Sequence, residues 1–159
     1  MADLNKIIDE LSKFLRSTTL QTSARNQFRG QINKVTKGAI NTEVELQLSE
    51  SSKIIAIVTN ESAKQMGLKK GGNAIALVKS SWIILSADKS VLTSARNKLA
   101  GRVKKITQGQ VNSEVELNLG AEKSLSCILT NTSAKSLKLK KGQIVYALFK
   151  ASSVILMKD

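Results

Sequence analysis

Histidine and proline are absent from this chain of 159 residues, and cysteine occurs once. Without imidazole and with a lone thiol, the common zinc, iron and copper sites have no ligand set, and an internal disulfide has no second sulfur. The want of histidine, together with the lack of any GxSxG or HExxH pattern, removes the usual hydrolytic machinery, so no enzyme is expected. Cys127, inside the apolar run SLSCILT, reads as a small buried residue. Long hydrophobic runs are missing too: Ile54–Val58 and Trp82–Leu85 fall far short of the roughly 20 residues that span a bilayer. The N-terminal stretch carries Asp3, Asp9 and Glu10 and no continuous apolar core, so no secretory signal is read and a cytoplasmic location is expected. Aromatics make up 3% of the chain, which leaves Ile, Val and Leu to build the core and favours strands.

Acids are outnumbered, with 12 against 25 basic residues and a formal charge of +13. Such a charge attracts nucleic acid, an anionic membrane surface or small anions, and its sign alone does not choose among them.

What the chain does have is a repeat. The pentapeptide TSARN stands at Thr22–Asn26 and again at Thr93–Asn97, and a shift of 71 positions carries 22–86 onto 93–157 without a gap. Roughly half of the about 65 aligned positions are identical, as in a tandem duplication. Three parts are expected: an N-terminal amphipathic helix at 1–20, one domain at 21–87 and a second at 92–159.

In Asn41–Leu48, Val44, Leu46 and Leu48 alternate with Glu43, Glu45 and Gln47, the period-two pattern of a half-buried strand. Phe28–Val35, Lys53–Thr59, Ala74–Lys79 and Trp82–Ser86 read as four further strands, and Ser62–Leu68 as a short helix ending at the LKKG turn. The expected class is mainly β: each copy a five-stranded OB-like barrel with one short helix, because closure removes exposed sheet edges. Ahead of them Leu4, Ile7, Ile8, Leu11, Phe14 and Leu15 fall at helical spacing, an apolar stripe that would dock on a barrel or a sister chain.

An arginine beside small hydroxyl residues is a set of hydrogen-bond donors suited to an oxyanion. A turn whose arginine pairs with an acid such as Glu43 is the plainer reading of the same residues. The lysines of LKKG read as a solvated turn, and Trp82 as packing between barrels or against the N-terminal helix.

SARN followed by a glycine, the strand GQVNSEVELNL, the helix and turn from Thr130 to Gly142, and the closing ALFKASSVIL together resemble the molybdate-binding Mop domain, the molbindin family within the wider TOBE group. The resemblance covers both copies and marks the chain as similar to a tandem di-Mop protein. It implies OB-like barrels, a homo-oligomer (a trimer, or alternatively a dimer), and molybdate or tungstate bound as an oxyanion between barrels. By position it implies that Ser23, Ala24 and Arg25 of one barrel meet Thr59, Ser62, Lys79 and Ser80 of a facing one. Ser94, Ala95 and Arg96, with Thr130, Ser133, Lys150 and Ser152, are the second set. The loop after the lysine differs between copies, so the contact falls to Ser80 or Ser81 in one and to the Ala151 N–H or Ser152 in the other. A shell made only of donors suits a tetrahedral dianion.

Molybdenum storage is therefore the leading expectation, and a molybdate-sensing module acting through a partner protein the second. Members of the family that regulate transcription have a winged helix-turn-helix ahead of the tandem domain, and with only about 20 residues ahead of it in this sequence, direct helix-turn-helix recognition of DNA is not expected. Nonspecific nucleic-acid binding is a third reading, disfavoured by the few aromatic stacking platforms. No membrane partner is expected.

Overall fold

Alternation along the strands sets the core. In a computed structural model that describes residues 3–17 and 22–159, with side chains in the first helix described to residue 11, Thr42, Val44 and Leu46 of one strand are buried while Glu43, Glu45 and Gln47 stay half-buried. The first copy comprises β1 (Asn26–Lys37), β2 (Asn41–Gln47), β3 (Lys53–Thr59), α2 (Asn60–Gln65), β4 (Asn73–Val78) and β5 (Ile84–Ser86), preceded by α1 (Leu4–Ser17). The second comprises β6 (Asn97–Gln108), β7 (Asn112–Gly120), β8 (Lys123–Thr130), α3 (Asn131–Ser136), β9 (Ile144–Phe149) and β10 (Ile155–Lys158). The strand expected at Trp82–Ser86 begins later, because a 3-10 turn occupies Ser80–Trp82, and its counterpart occupies Ala151–Ser153.

Two five-stranded antiparallel sheets result, ordered β10-β4-β1-β2-β3 and β5-β9-β6-β7-β8. The final strands are exchanged. Ile155–Lys158 pairs with Ala74–Leu77 of the first copy, and Ile84–Ser86 pairs with Tyr146–Leu148 of the second. The expectation that each copy closes its own sheet is thereby corrected: four strands come from one copy and the fifth from the other. The 3-10 turn after β4 or β9 redirects the chain across to its neighbour, and each turn lies against the other copy's third strand. Leu85 and Leu156 are buried in one continuous apolar cluster that draws on both copies, including Phe28, Leu46, Leu117 and Phe149.

Gly30 follows TSARN because β1 coils tightly over β2 there: a Cβ would sit 2.5 Å from the Gln47 carbonyl oxygen and 2.8 Å from Leu46 Cγ. The Thr-Asn that opens each short helix is equally local in origin. Thr59 caps α2 by accepting from the Ser62 N–H, Asn60 accepts from the Thr42 hydroxyl at 2.7 Å, and its amide donates to the Gly38 carbonyl. Thr130, Asn131, Ser113 and Gly109 repeat the arrangement.

After α2 the chain turns through Gly67 at φ 61°, and after α3 the same left-handed position is held by Lys138 at φ 52°. A side chain strains that conformation. Lys138→Gly is expected to raise the unfolding free energy by about 1 kcal/mol, read as a higher Tm.

Candidate oxyanion site

The asparagine that ends each TSARN is buried, 2% exposed in both copies, and it bridges the two sheets. Asn26 Nδ2 donates to the Ser126 carbonyl at 2.8 Å and its Oδ1 accepts from the Ser126 N–H at 2.7 Å, so the amide adds one strand-like pair to β8. Asn97 does the same to Ile55 of β3, with both bonds at 2.8 Å. The residues before each asparagine are thus held against the other copy.

Arg25 reaches Glu114 with both terminal nitrogens, Nη2 to Oε1 and Nη1 to Oε2, the latter at 3.4 Å. Arg96 forks onto Glu43 at 3.0 and 3.1 Å. The plainer expectation of an arginine paired with an acid is realised here, across the copies. Both pairs are well exposed, so they orient the guanidinium more than they stabilise the fold. The Ser126 hydroxyl, donating at 3.0 Å, and then the Arg25 guanidinium hold the Glu114 carboxyl below the usual carboxylate range, against burial acting the other way. Hydrogen bonding to Glu43 raises the Arg96 pKa above its ordinary value.

The remaining donors gather at the end of the β1–β4 ladder. Asn26 pairs with Val78 in its last rung, so Arg25 and Lys79 leave the sheet at the same end. Within one chain Lys79 and Ser80 accordingly share a sheet end with Ser23–Arg25. Ser23 is exposed, while the Ala24 N–H is taken by Thr22 Oγ1 at 3.2 Å. Ser80 is buried and its hydroxyl has no protein partner, an orphan that calls for a ligand or water. Lys79 Nζ lies 5.3 Å from the ring centroid of Trp82, which is 42% exposed rather than packed between the sheets.

In the second copy the Ala95 N–H is likewise held by Thr93 Oγ1, Ser94 and Ser152 are exposed, and Ala151 is buried where the first copy has Ser80. Lys150 precedes the second 3-10 turn as Lys79 precedes the first.

Thr59 with Ser62, and Thr130 with Ser133, form separate hydroxyl pairs. In each the threonine hydroxyl donates to the serine Oγ, at 2.8 and 2.9 Å, leaving the serine proton for an outside acceptor. Thr130 and Ser133 line a cavity of about 470 Å³ whose other wall is Ile83–Leu85 of the exchanged strand. Among the described residues that wall contains neither a SARN residue nor Lys79. A single chain therefore presents two partial donor sets per copy.

Cys127 is buried as expected, its thiol donating to the Ile83 carbonyl at 3.2 Å and pushed up to about 12 by burial. Lys69 and Lys70 of the LKKG turn are exposed. No group of three or more potential metal-ligating side chains occurs among the described residues.

The TOBE domain family model matches residues 22–85 and 93–156. This chain belongs to the TOBE domain family. Among similar TOBE proteins, the molybdenum-pterin-binding protein MopA of Rhodobacter capsulatus is 45% identical over 143 residues, covering 89% of this chain and 54% of that protein. The molybdenum transport protein ModE of Azotobacter vinelandii is 40% identical over 149 residues, covering 94% of this chain and 55% of its own length. The chain thus spans about half the length of these curated relatives. The solved structure of ModG, described as a cytoplasmic molybdate-binding protein and crystallised with molybdate, superposes with a TM-score of 0.85 at 39% identity, covering 88% of this chain and 100% of that one.

Sequence reasoning missed the two asparagines as inter-copy bridges, and it named Glu43 as an arginine partner without showing that the pairing crosses between the copies. The only signal was their identity in both copies, Asn in TSARN and Glu in the EVEL strand.

Proposed function

We propose that this chain binds molybdate, or the similarly sized tungstate, as an intact oxyanion for cytoplasmic molybdenum storage, without a chemical step. The observation that carries the reading is the buried, unpartnered Ser80 hydroxyl beside Lys79, at the sheet end where Ser23 and the Arg25 backbone also emerge. With Glu114 neutralising Arg25, Lys79 supplies the net positive charge and hydroxyls and N–H groups supply directed bonds. Likeness along the whole length of the molybdate-bound ModG structure supports the same reading.

The site is completed by a second chain. Thr130 and Ser133 line an open cavity without a cation, and exposed aliphatics recur in both copies, Ile40 with Val111 and Ile84 with Ile155, ready to be covered. A homotrimer is the favoured assembly and a dimer the alternative. A ligand bound only by the assembled form stabilises it.

Native mass spectrometry with molybdate, and sulfate as control, tests this: several molybdates per closed oligomer are expected, and a monomer that takes up none overturns the proposal. Arg25→Ala and Arg96→Ala leave the Glu114 and Glu43 carboxylates unneutralised beside the donors, and each is expected to remove one class of site, so that either variant binds about half as many anions as the parent.

One observation favours a sensing role: Leu4, Ile7, Ile8 and Leu11 of α1 are each about half exposed or more. Phe14 and Leu15, which continue the stripe, lie outside the described side chains. A specific protein released from the chain by molybdate would support sensing over storage.

A further inference from the structure

The two copies share one backbone at the strand bulge next to the LKKG turn but fill it with opposite chemistry. In the first copy Gly71 N–H bonds the Ile32 carbonyl and Ile32 N–H bonds the Gly72 carbonyl; in the second Gly142 N–H bonds the Val103 carbonyl and Val103 N–H bonds the Gln143 carbonyl. The ladder slips at the same place in both, leaving Asn33 or Lys104 as the bulged residue.

In the first copy the polar groups satisfy one another. Asn33 Nδ2 donates to Glu45 at 2.9 Å and to Gln47 at 2.7 Å, and Lys53 pairs with Glu45 at 2.8 Å, which holds that carboxyl below its usual range. In the second copy every member of this set is changed except the glutamate. Arg102 replaces Gln31, Lys104 replaces Asn33, Asn118 replaces Gln47, and Ser124 replaces Lys53. Lys105 and Lys141 correspond to Lys34 and Lys70.

The outcome is a cavity of about 500 Å³ lined by Arg102, Lys104, Lys105 and Lys141, with Glu116 as its one acid. Glu116 makes no ion pair among those formed by the described residues, and neither do the four cations. Arg102 is held at the rim by a bond from Nη1 to the Gly142 carbonyl at 2.8 Å, which fixes the guanidinium. Four like charges gathered over one cavity repel each other, and a polyanion relieves that repulsion.

We propose that this cavity in the second copy is an additional anion site, distinct from the SARN sites, that takes a small organic phosphate bearing two or more negative charges. A planar guanidinium and three ammonium groups match phosphoryl oxygens, and the cavity has room for a ligand several times larger than one tetrahedral oxyanion. The rim offers no aromatic side chain for base stacking, so a compact phosphate ester fits better than a nucleic-acid strand.

Calorimetric titration of the full chain with pyrophosphate, in saturating molybdate and against a sulfate control, tests the proposal. One pyrophosphate per chain is expected. Arg102→Gln with Lys104→Asn, which install the first copy's residues on a backbone that already accommodates them, is expected to weaken pyrophosphate at least about tenfold while leaving molybdate stoichiometry unchanged. Lys34→Asn with Lys70→Asn removes equal charge from the first copy and is expected to leave pyrophosphate binding as in the parent. No binding, or an equal loss in both double variants, would show bulk charge alone and overturn the site. Displacement by single-stranded oligonucleotides with affinity rising with their length would overturn the small-ligand assignment.

Discussion

Asn26→Ala is expected to lower the unfolding free energy by about 3 to 5 kcal/mol, measured by urea denaturation. The amide makes two short bonds to the main chain of Ser126, a residue only 8% exposed. Truncation leaves a buried N–H and a buried carbonyl without partners, and each such group costs about 1 to 3 kcal/mol. Asn26→Asp should do no better, since a carboxylate can accept from the Ser126 N–H but faces the Ser126 carbonyl with another acceptor. Asn97→Ala should behave alike through Ile55, whereas Ser23→Ala, at an exposed position, should stay within about 0.5 kcal/mol of the parent. A loss for Asn26→Ala no larger than for Ser23→Ala would remove the bridging role.

Deleting the last five residues, Ile155 to Asp159, is expected to destabilise the first copy rather than the second. β10 supplies the edge partner of β4, and Leu156 closes the core beside it. Without it, residues on the outer edge of β4 lose their ladder and Leu156 leaves a void, which together should cost about 4 kcal/mol or more. Hydrogen exchange locates the damage: protection should fall on Ala74–Leu77 and persist on Tyr146–Leu148, which pair with β5. Loss of protection on β9 instead would mean that each copy keeps its own final strand.

Much of the fold was legible from residue order. The alternation in Asn41–Gln47 and Asn112–Gly120 marks strands with one buried face, whereas the short helix expected at Ser62–Leu68 runs from Asn60 to Gln65 because Thr59 caps it. The strands were read short at β1, which runs from Asn26 to Lys37, because Gly30 and the bulge after Ile32 interrupt the pattern without ending the strand. At the candidate site the duplicated SAR and Lys were legible as donors. An arginine paired with an acid such as Glu43 was legible too; that each pair crosses between the copies, Arg96 to Glu43 and Arg25 to Glu114, was not, since alternation places these acids on a wet face without saying what else faces the same water.

The sequence by itself determined that the chain is a duplication, that its core is aliphatic and its class mainly β, and that histidine-dependent metal and hydrolytic chemistry have no residues to use. Those conclusions rest on composition and on short-range periodicity, which survive any arrangement of the strands. Only the tertiary structure decided which sheet each final strand joins. WIIL and SVIL carry the same apolar pattern, so either sheet would accept either segment, and periodicity is blind to that choice. The choice is made by the 3-10 turn after Lys79 and Lys150, which sends the chain across the interface, and by Asn26 and Asn97, which hold the two sheets close enough to receive it.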